Sequence, residues 1–207
     1  GISNVSKAVS TKTTHPILSC IFIEAENGNI KLTANDMEIG IESYVEGTVI
    51  EEGKVAIEAK LLSDIVRKLP DSEIHMETNE DFKTTIKCEK SLFTIAGKSG
   101  EDFSSLPVVE KSKFITISQF TLREIINQTI FSISDSEYNN VMTGELFEVS
   151  NNRLRVVAID GHRIAIRNVE LKNESEDVKV IVPGKALSYI SKIVSGGVDD
   201  DVNIYFA

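Results

Sequence analysis

Asp160, Gly161, His162 and Arg163 stand between two apolar runs, Val156 to Ile159 and Ile164 to Ile166, so a carboxylate and an imidazole lie two residues apart. Such a pair suggests a hydrolytic triad, with the Asp orienting a His base, or two ligands of a metal. A triad also needs a nucleophile in a context such as Gly-x-Ser-x-Gly, which the sequence lacks. His15 and His75 are far away, and no His-Glu-x-x-His motif or Gly-rich phosphate loop occurs. Cys20 and Cys88 are isolated and fit neither a CxxC metal site nor a disulfide framework, so both read as buried thiols. The simpler reading of Asp160-Gly161 is a tight turn between strands. A hydrolase built on Asp160 and His162 stays as an alternative, and no cofactor or metal is expected.

The turn belongs to a stretch that the chain contains twice. Val141 to Arg167 lies without a gap over Ile17 to Ser43, 124 positions upstream, so that Glu24 meets Glu148, Asn27 meets Asn151, Ala34 meets Ala158 and Asp36 meets Asp160. A second block, Lys54 to Leu69, lies over Lys179 to Val194 and pairs Lys60 with Lys185, Leu62 with Leu187 and Ser63 with Ser188. Two blocks in the same order at nearly one offset indicate a duplicated domain. At 207 residues the chain can supply two modest cores.

Within each copy the periodicity predicts helices followed by antiparallel strands. Gly1 to Lys12 reads as a helix with Ile2, Val5 and Val9 on one face. Ile17 to Ala25 and Asn29 to Thr33 read as strands joined by an Asn27-Gly28 turn, matched downstream by Asn151-Asn152. Met37 to Ile50 reads as two more strands, and Lys54 to Ile57 as one leading into a helix, Ala59 to Leu69, that stops at Pro70. Three strands follow, Glu73 to Glu77, Lys83 to Cys88 and Leu92 to Ala96. Leu106 to Lys113 is a linker. Phe114 to Ser118 is a strand, Gln119 to Phe131 the most regular helix, and Gly184 to Ser195 the second helix of the second copy. The class is α+β, with helices covering one face of antiparallel sheets. The ends of the two copies do not match, so the chain reads as an excerpt of a longer one. It holds no apolar run near the ~20 residues that span a bilayer, which points to a soluble, intracellular protein.

The formal net charge of -10 argues at first against a nucleic-acid partner. Its distribution argues otherwise. The four helical windows hold Lys7, Lys12, Lys60, Arg67, Lys68, Arg123, Lys185 and Lys192 against only Asp64 and Glu124, a net of +6, which leaves -16 for the remainder. Lys60, Ser63 and Arg67 recur as Lys185, Ser188 and Lys192, spaced to lie away from the apolar stripe. A cationic helix surface on an otherwise acidic protein suits the phosphate backbone. No recognition-helix pattern, zinc finger or aromatic platform is present to read bases, so binding without sequence preference is implied. An adhesion or scaffold module is the other alternative, and would lack a coherent basic helix surface. The turn at Gly161, with Ile159, Arg163 and Ile164, differs from Asn35, Met37, Ile39 and Gly40 of the first copy and could present an apolar patch with a basic edge to a short peptide.

HPIL, LTANDMEI, KLLSDIVRKLP, FSSLP, YNNVMTGELFE, AIDGHRIA and VIVPGKAL together resemble the bacterial DNA polymerase III beta subunit, the sliding clamp family, over essentially the whole chain. The resemblance implies the DNA clamp fold: a homodimeric ring of three similar domains per subunit, helices around duplex DNA and sheets outside. It implies no catalysis, cytoplasmic location, processivity for the replicative polymerase, and docking of the polymerase III catalytic subunit and the clamp loader through peptide motifs. Residues 1–109 would be a first domain lacking its first strand and 114–207 a truncated second, with the third absent. DNA contacts are expected at Lys7, Lys12, Lys60, Arg67, Arg123, Lys185 and Lys192. Asn139, Asn140 and Val141 stand where some members carry Arg and Tyr that touch DNA. The peptide pocket maps to Met142, Ile159, Gly161, His162, Arg163 and Ile164, with Ile159 in place of a frequent Thr. Phe93 maps to the subunit interface.

Overall fold

A computed structural model describes residues 1–10, 13–135 and 140–206. The chain divides into two compact units, Gly1–Leu106 and Pro107–Ala207.

The first unit opens with α1 (Ile2–Val5), continued by a 3-10 turn at Ser6–Ala8. The expected helix over residues 1–12 is therefore shorter. Val9 swings to an extended conformation, and the N–H of Ser10 donates to Leu18 O, which pulls the chain out of the helical path. After a 3-10 turn at Pro16–Ser19 come β1 (Cys20–Glu26), β2 (Asn29–Asn35), β3 (Gly40–Val45) and β4 (Gly53–Glu58). The elements α2 (Ala59–Lys68), β5 (His75–Thr78), β6 (Lys83–Cys88) and β7 (Ser91–Lys98) complete it. The strands form one sheet in the order β3-β2-β1-β4-β7-β6-β5. Between Met37 and Ile50 there is one strand where two were expected. Beyond β3, residues 46–48 and a 91 % exposed Ile50 face solvent and only Val49 is half-buried, so the run has little apolar surface to gain by pairing as a second strand.

Side-chain alternation assigns the two faces of β1. Ile21 and Ile23 pack with Leu32, Ala34, Val55 and Ile57 under Val5, Ala8, Leu62 and Ile65, so both helices of this unit cover one face. Cys20 and Phe22 point the other way, against Ala56 and Phe103, whose ring lies 4.9 Å from that of Phe22.

The second unit repeats this frame. β8 (Phe114–Ser118) leads into α3 (Gln119–Thr129), whose N-terminus is capped by Ser118 Oγ accepting the N–H of Thr121 at 3.2 Å. A 3-10 turn at Ile130–Ser132 and another at Asn140–Thr143 precede β9 (Gly144–Ser150), β10 (Arg153–Ile159) and β11 (Ile164–Glu170). β12 (Val178–Pro183), α4 (Gly184–Ile193) and β13 (Asp201–Tyr205) follow. The sheet order is β11-β10-β9-β12, with β13 paired to β8 separately. Leu122, Ile125, Ile126 and Leu187 bury against Phe147, Val149, Leu154 and Val156. A buried Leu of this kind contributes about 2 kcal/mol or more. Gly184 can only be glycine-sized: a Cβ there would come 2.3 Å from Ile133 Cδ1 and 2.9 Å from Thr143 O.

The duplication is exact for the elements the two blocks cover. β1, β2 and the start of β3 recur 124 positions later as β9, β10 and β11, and β4 with α2 recurs 125 later as β12 with α4. Their turns repeat too, with Asn27 at φ 51° and Gly28 at 74° against Asn151 at 52° and Asn152 at 60°.

Candidate functional site

The Asp160 turn joins β10 to β11, whose last rung pairs Ile159 with Ile164. Asp160 Oδ1 accepts the backbone N–H of His162 at 2.9 Å and of Arg163 at 3.0 Å, and Oδ2 accepts Arg163 Nε at 2.7 Å. These donors, the His162 amide foremost, hold the Asp160 carboxyl below the usual carboxylate range. The first unit builds the same turn: Asp36 Oδ1 accepts the N–H of Glu38 at 3.1 Å and of Ile39 at 2.8 Å. A turn made identically without a histidine is a device for closing a hairpin. The Asp160 and His162 pair is thus explained by backbone geometry, since the carboxylate receives the amide of His162, and it gives no support to the hydrolase reading.

What differs is the surface of the turn. Gly161, at φ 89°, occupies the left-handed position that Met37 takes at 75° with a strained backbone. Arg163 replaces Ile39, and its guanidinium lies 5.8 Å from the ring centre of Phe131. Phe131, Ile159, Ile164 and Val141 are all exposed, and Met142 is half-buried. Of the residues expected to take a peptide, the structure brings Ile159, Gly161, His162, Arg163 and Ile164 onto one hairpin end. Met142 lies in the 3-10 turn before β9, its carbonyl accepting the N–H of Ser134 at 2.8 Å. Phe131 was missed by sequence reasoning. The signal was available: it is a large apolar residue at the solvent end of the most regular helix.

On the sheets one arrangement recurs in both units, in which Glu24 holds Lys31 at 2.7 Å and Lys54 at 3.4 Å while Glu148 holds Lys179 at 3.2 Å and Arg155 at 3.9 Å, whereas Lys83, Lys87, Lys98 and Arg167 have no ion pair among the described residues. The Glu24 carboxylate raises the pKa of Lys31 accordingly. On the helices Lys60, Arg67, Arg123, Lys185 and Lys192 are exposed. Lys60, Arg123 and Lys192 have no ion pair among the described residues, and Arg67 has only Asp64 at 3.9 Å. Lys7 is half-buried, its Nζ donating to Asn4 Oδ1 at 3.2 Å. Lys12 and Asn139 lie outside the described residues. One expectation needs correction: Ser63 does not share a solvent face with Lys60 and Arg67, because its hydroxyl lies 3.0 Å from Ser6 Oγ and ties α2 to the 3-10 turn after α1. Phe93, on β7 beside the exposed Leu92, is 37 % exposed.

Among the described residues no cluster of three or more His, Cys, Asp or Glu is arranged to hold a metal, and no helix is long and apolar enough to cross a membrane.

This fold, with its duplicated units, is that of the sliding clamps. A structure described as a DNA polymerase III beta subunit from Eubacterium rectale superposes on all of the chain with a TM-score of 0.97 at 56 % identity, and the DNA polymerase sliding clamp from Bacillus subtilis with 0.94 at 32 %. The chain belongs to the DNA polymerase III beta subunit family: its N-terminal domain model matches residues 1–107 and its central domain model residues 116–207. The beta sliding clamp of Staphylococcus epidermidis is 39 % identical over 214 residues, covering all of this chain. The chain spans 56 % of the length of that relative.

Proposed function

We propose that the chain is the first and central part of a replication processivity clamp. In this reading its two units, with a third that the chain does not include, form each subunit of a homodimeric ring that encloses duplex DNA, and Phe93 lies at the subunit contact. No bond is made or broken. The polymerase stays on its template because the ring is closed around it, and the ring slides because its contacts go to phosphates and ignore sequence. The observation that carries the reading is the distribution of charge: in a chain of net -10 the helical windows hold eight basic residues against two acidic ones, and Lys60, Arg67, Arg123, Lys185 and Lys192 on them are exposed. Lys7, Lys12, Lys60, Arg67, Arg123, Lys185 and Lys192 supply the phosphate contacts. Val141 stands exposed where an arginine or tyrosine contact would be, so that loop contributes little. The setting is the bacterial cytoplasm.

Partners such as the polymerase III catalytic subunit and the clamp loader dock by short peptides on Met142, Ile159, Gly161, His162, Arg163 and Ile164. Exposed aliphatic side chains beside a fixed guanidinium suit a peptide with apolar residues and a backbone or acidic acceptor. The test is peptide affinity in the assembled ring. Arg163→Ala should weaken capture of a polymerase-derived peptide at least about fivefold, the scale of one significant interface contact. Unaltered affinity would remove the pocket role from this turn.

A further inference from the structure

Thr129, the last residue of α3, and Glu145, the second of β9, are both fully buried. The hydroxyl oxygen of Thr129 lies 2.7 Å from the carbonyl oxygen of Ile125 and 2.9 Å from Oε1 of Glu145. A hydroxyl carries one hydrogen, and a carbonyl oxygen can only accept. The shorter contact therefore uses the Thr129 hydrogen. If it were turned toward Glu145 instead, two acceptor oxygens would face each other at 2.7 Å. The 2.9 Å contact must then be supplied with a hydrogen by the carboxyl group. Among the described residues the second oxygen, Oε2, is buried with no hydrogen-bond partner, which half of a carboxylate tolerates far less well than the carbonyl of a neutral acid.

We propose that Glu145 is a neutral carboxylic acid in the folded second unit, its O–H donating to Thr129 Oγ1, and that this proton fastens the end of α3 to β9 in a pH-sensitive latch. The repeat supplies an independent argument. At the equivalent positions, 124 earlier, the first unit has Val5 and Ile21, both fully buried in its core. Val to Thr is nearly isosteric, and a protonated Glu is the polar side chain that can replace Ile without placing a charge in an apolar site. The latch also has a neighbour of functional interest. Thr129 leads directly into the 3-10 turn carrying Phe131, on which Arg163 rests.

Surrounding charges do not alter this balance. Arg123 and Glu124 on α3, Glu148 on β9, Arg153 and Arg155 on β10, Arg167 and Glu170 on β11, Lys179 on β12, and Lys185, Tyr189 and Lys192 on α4 are the titratable groups of the packed elements, while β8 and the 3-10 turns at Ile130–Ser132 and Asn140–Thr143 carry none. Burial pushes the Glu145 carboxyl up, to about 7. The folded state thus binds a proton that the unfolded chain has released, so stability is full below the ordinary carboxylate range and falls as pH rises toward 7. Between pH 5.5 and 8.5 this linkage raises the unfolding constant roughly thirtyfold relative to a chain lacking the group.

The experiment compares urea unfolding of the wild-type chain, E145Q and the double variant T129V/E145I across that pH range. The glutamine amide can donate to Thr129 without titrating, and the double variant installs the pair of the first unit. The wild type should lose stability with pH relative to both, by about thirtyfold in the unfolding constant. Parallel profiles would overturn the proposal. Should the variants fail to fold, infrared spectroscopy of the wild type decides: a protonated carboxylic acid band present at pH 6 and lost by pH 8.5 supports the latch, and an ionised carboxylate at pH 6 overturns it.

Discussion

Lys60 and Lys185 occupy equivalent positions on α2 and α4, one residue inside each helix, and both are exposed. If they touch phosphates, replacing both with Ala must change the salt dependence of DNA binding. Each phosphate contact contributes about 0.9 to the slope of log affinity against log salt, so the double variant loses up to about 1.8 per subunit. Between 50 and 200 mM salt, about 0.6 of a log unit, a change of 1.8 corresponds to roughly a twelvefold difference in how steeply affinity falls. The assay is fluorescence anisotropy of the assembled ring on a short labelled duplex, run over that range for wild type, K60A/K185A and K87A. Lys87 is an exposed cation on β6, a sheet strand, and serves as the control. The wild type and K87A should share one slope, with K60A/K185A distinctly shallower. Equal slopes for all three, or a loss in K87A as large as in the double variant, would refute the assignment of the phosphate contacts to the helix cations.

Two further outcomes concern the frame. Leu62→Ala and Leu187→Ala, at matching core positions exposed by 0 % and 1 %, should each destabilise their unit by about 2–5 kcal/mol in urea unfolding, and a loss below ~1 kcal/mol at either would break the equivalence of the two cores. Asp160 has the opposite pH sign from Glu145. Its folded carboxyl is held low, so its contribution is complete above the ordinary Asp range and is lost as pH falls through the lower folded value. The difference in stability between wild type and D160N should therefore shrink on acidification below about pH 4, and a constant difference would remove the turn from the acid response.

The repeat was legible because two sets of constraints coincide in it. Apolar alternation sets the strands, and residues that accept positive φ, Asn27 with Gly28 and Asn151 with Asn152, set the turns between them. What escaped prediction was mostly decided by contacts distant in sequence. The first helix ends early because Ser10 bonds to Leu18, and Ser63 faces inward because Ser6 is there to meet it. Glu145 escaped for a different reason. A lone charged residue in a strand is ordinarily read as facing solvent, yet its alternation with Phe147 and Val149, and its counterpart Ile21, both put it on the core face.

The two units show how one backbone frame can be given different surfaces. The Asp36 and Asp160 turns are the same object in the main chain, and only the side chains projecting from them differ. In the first unit Ile39 folds back onto the core. In the second, Arg163 at that position cannot be buried there, so it bends along the surface to Asp160 and the ring of Phe131. The position of Phe131 is in turn held by Lys7 in the first unit, where the ammonium group reaches Asn4. Exchanging an aromatic for a cation at one site and a cation for an aliphatic at another converts a polar helix end beside a closed turn into an apolar shelf with a fixed positive edge. Neither change alters a strand register or a fully buried side chain, so the frame can carry a different surface on each copy.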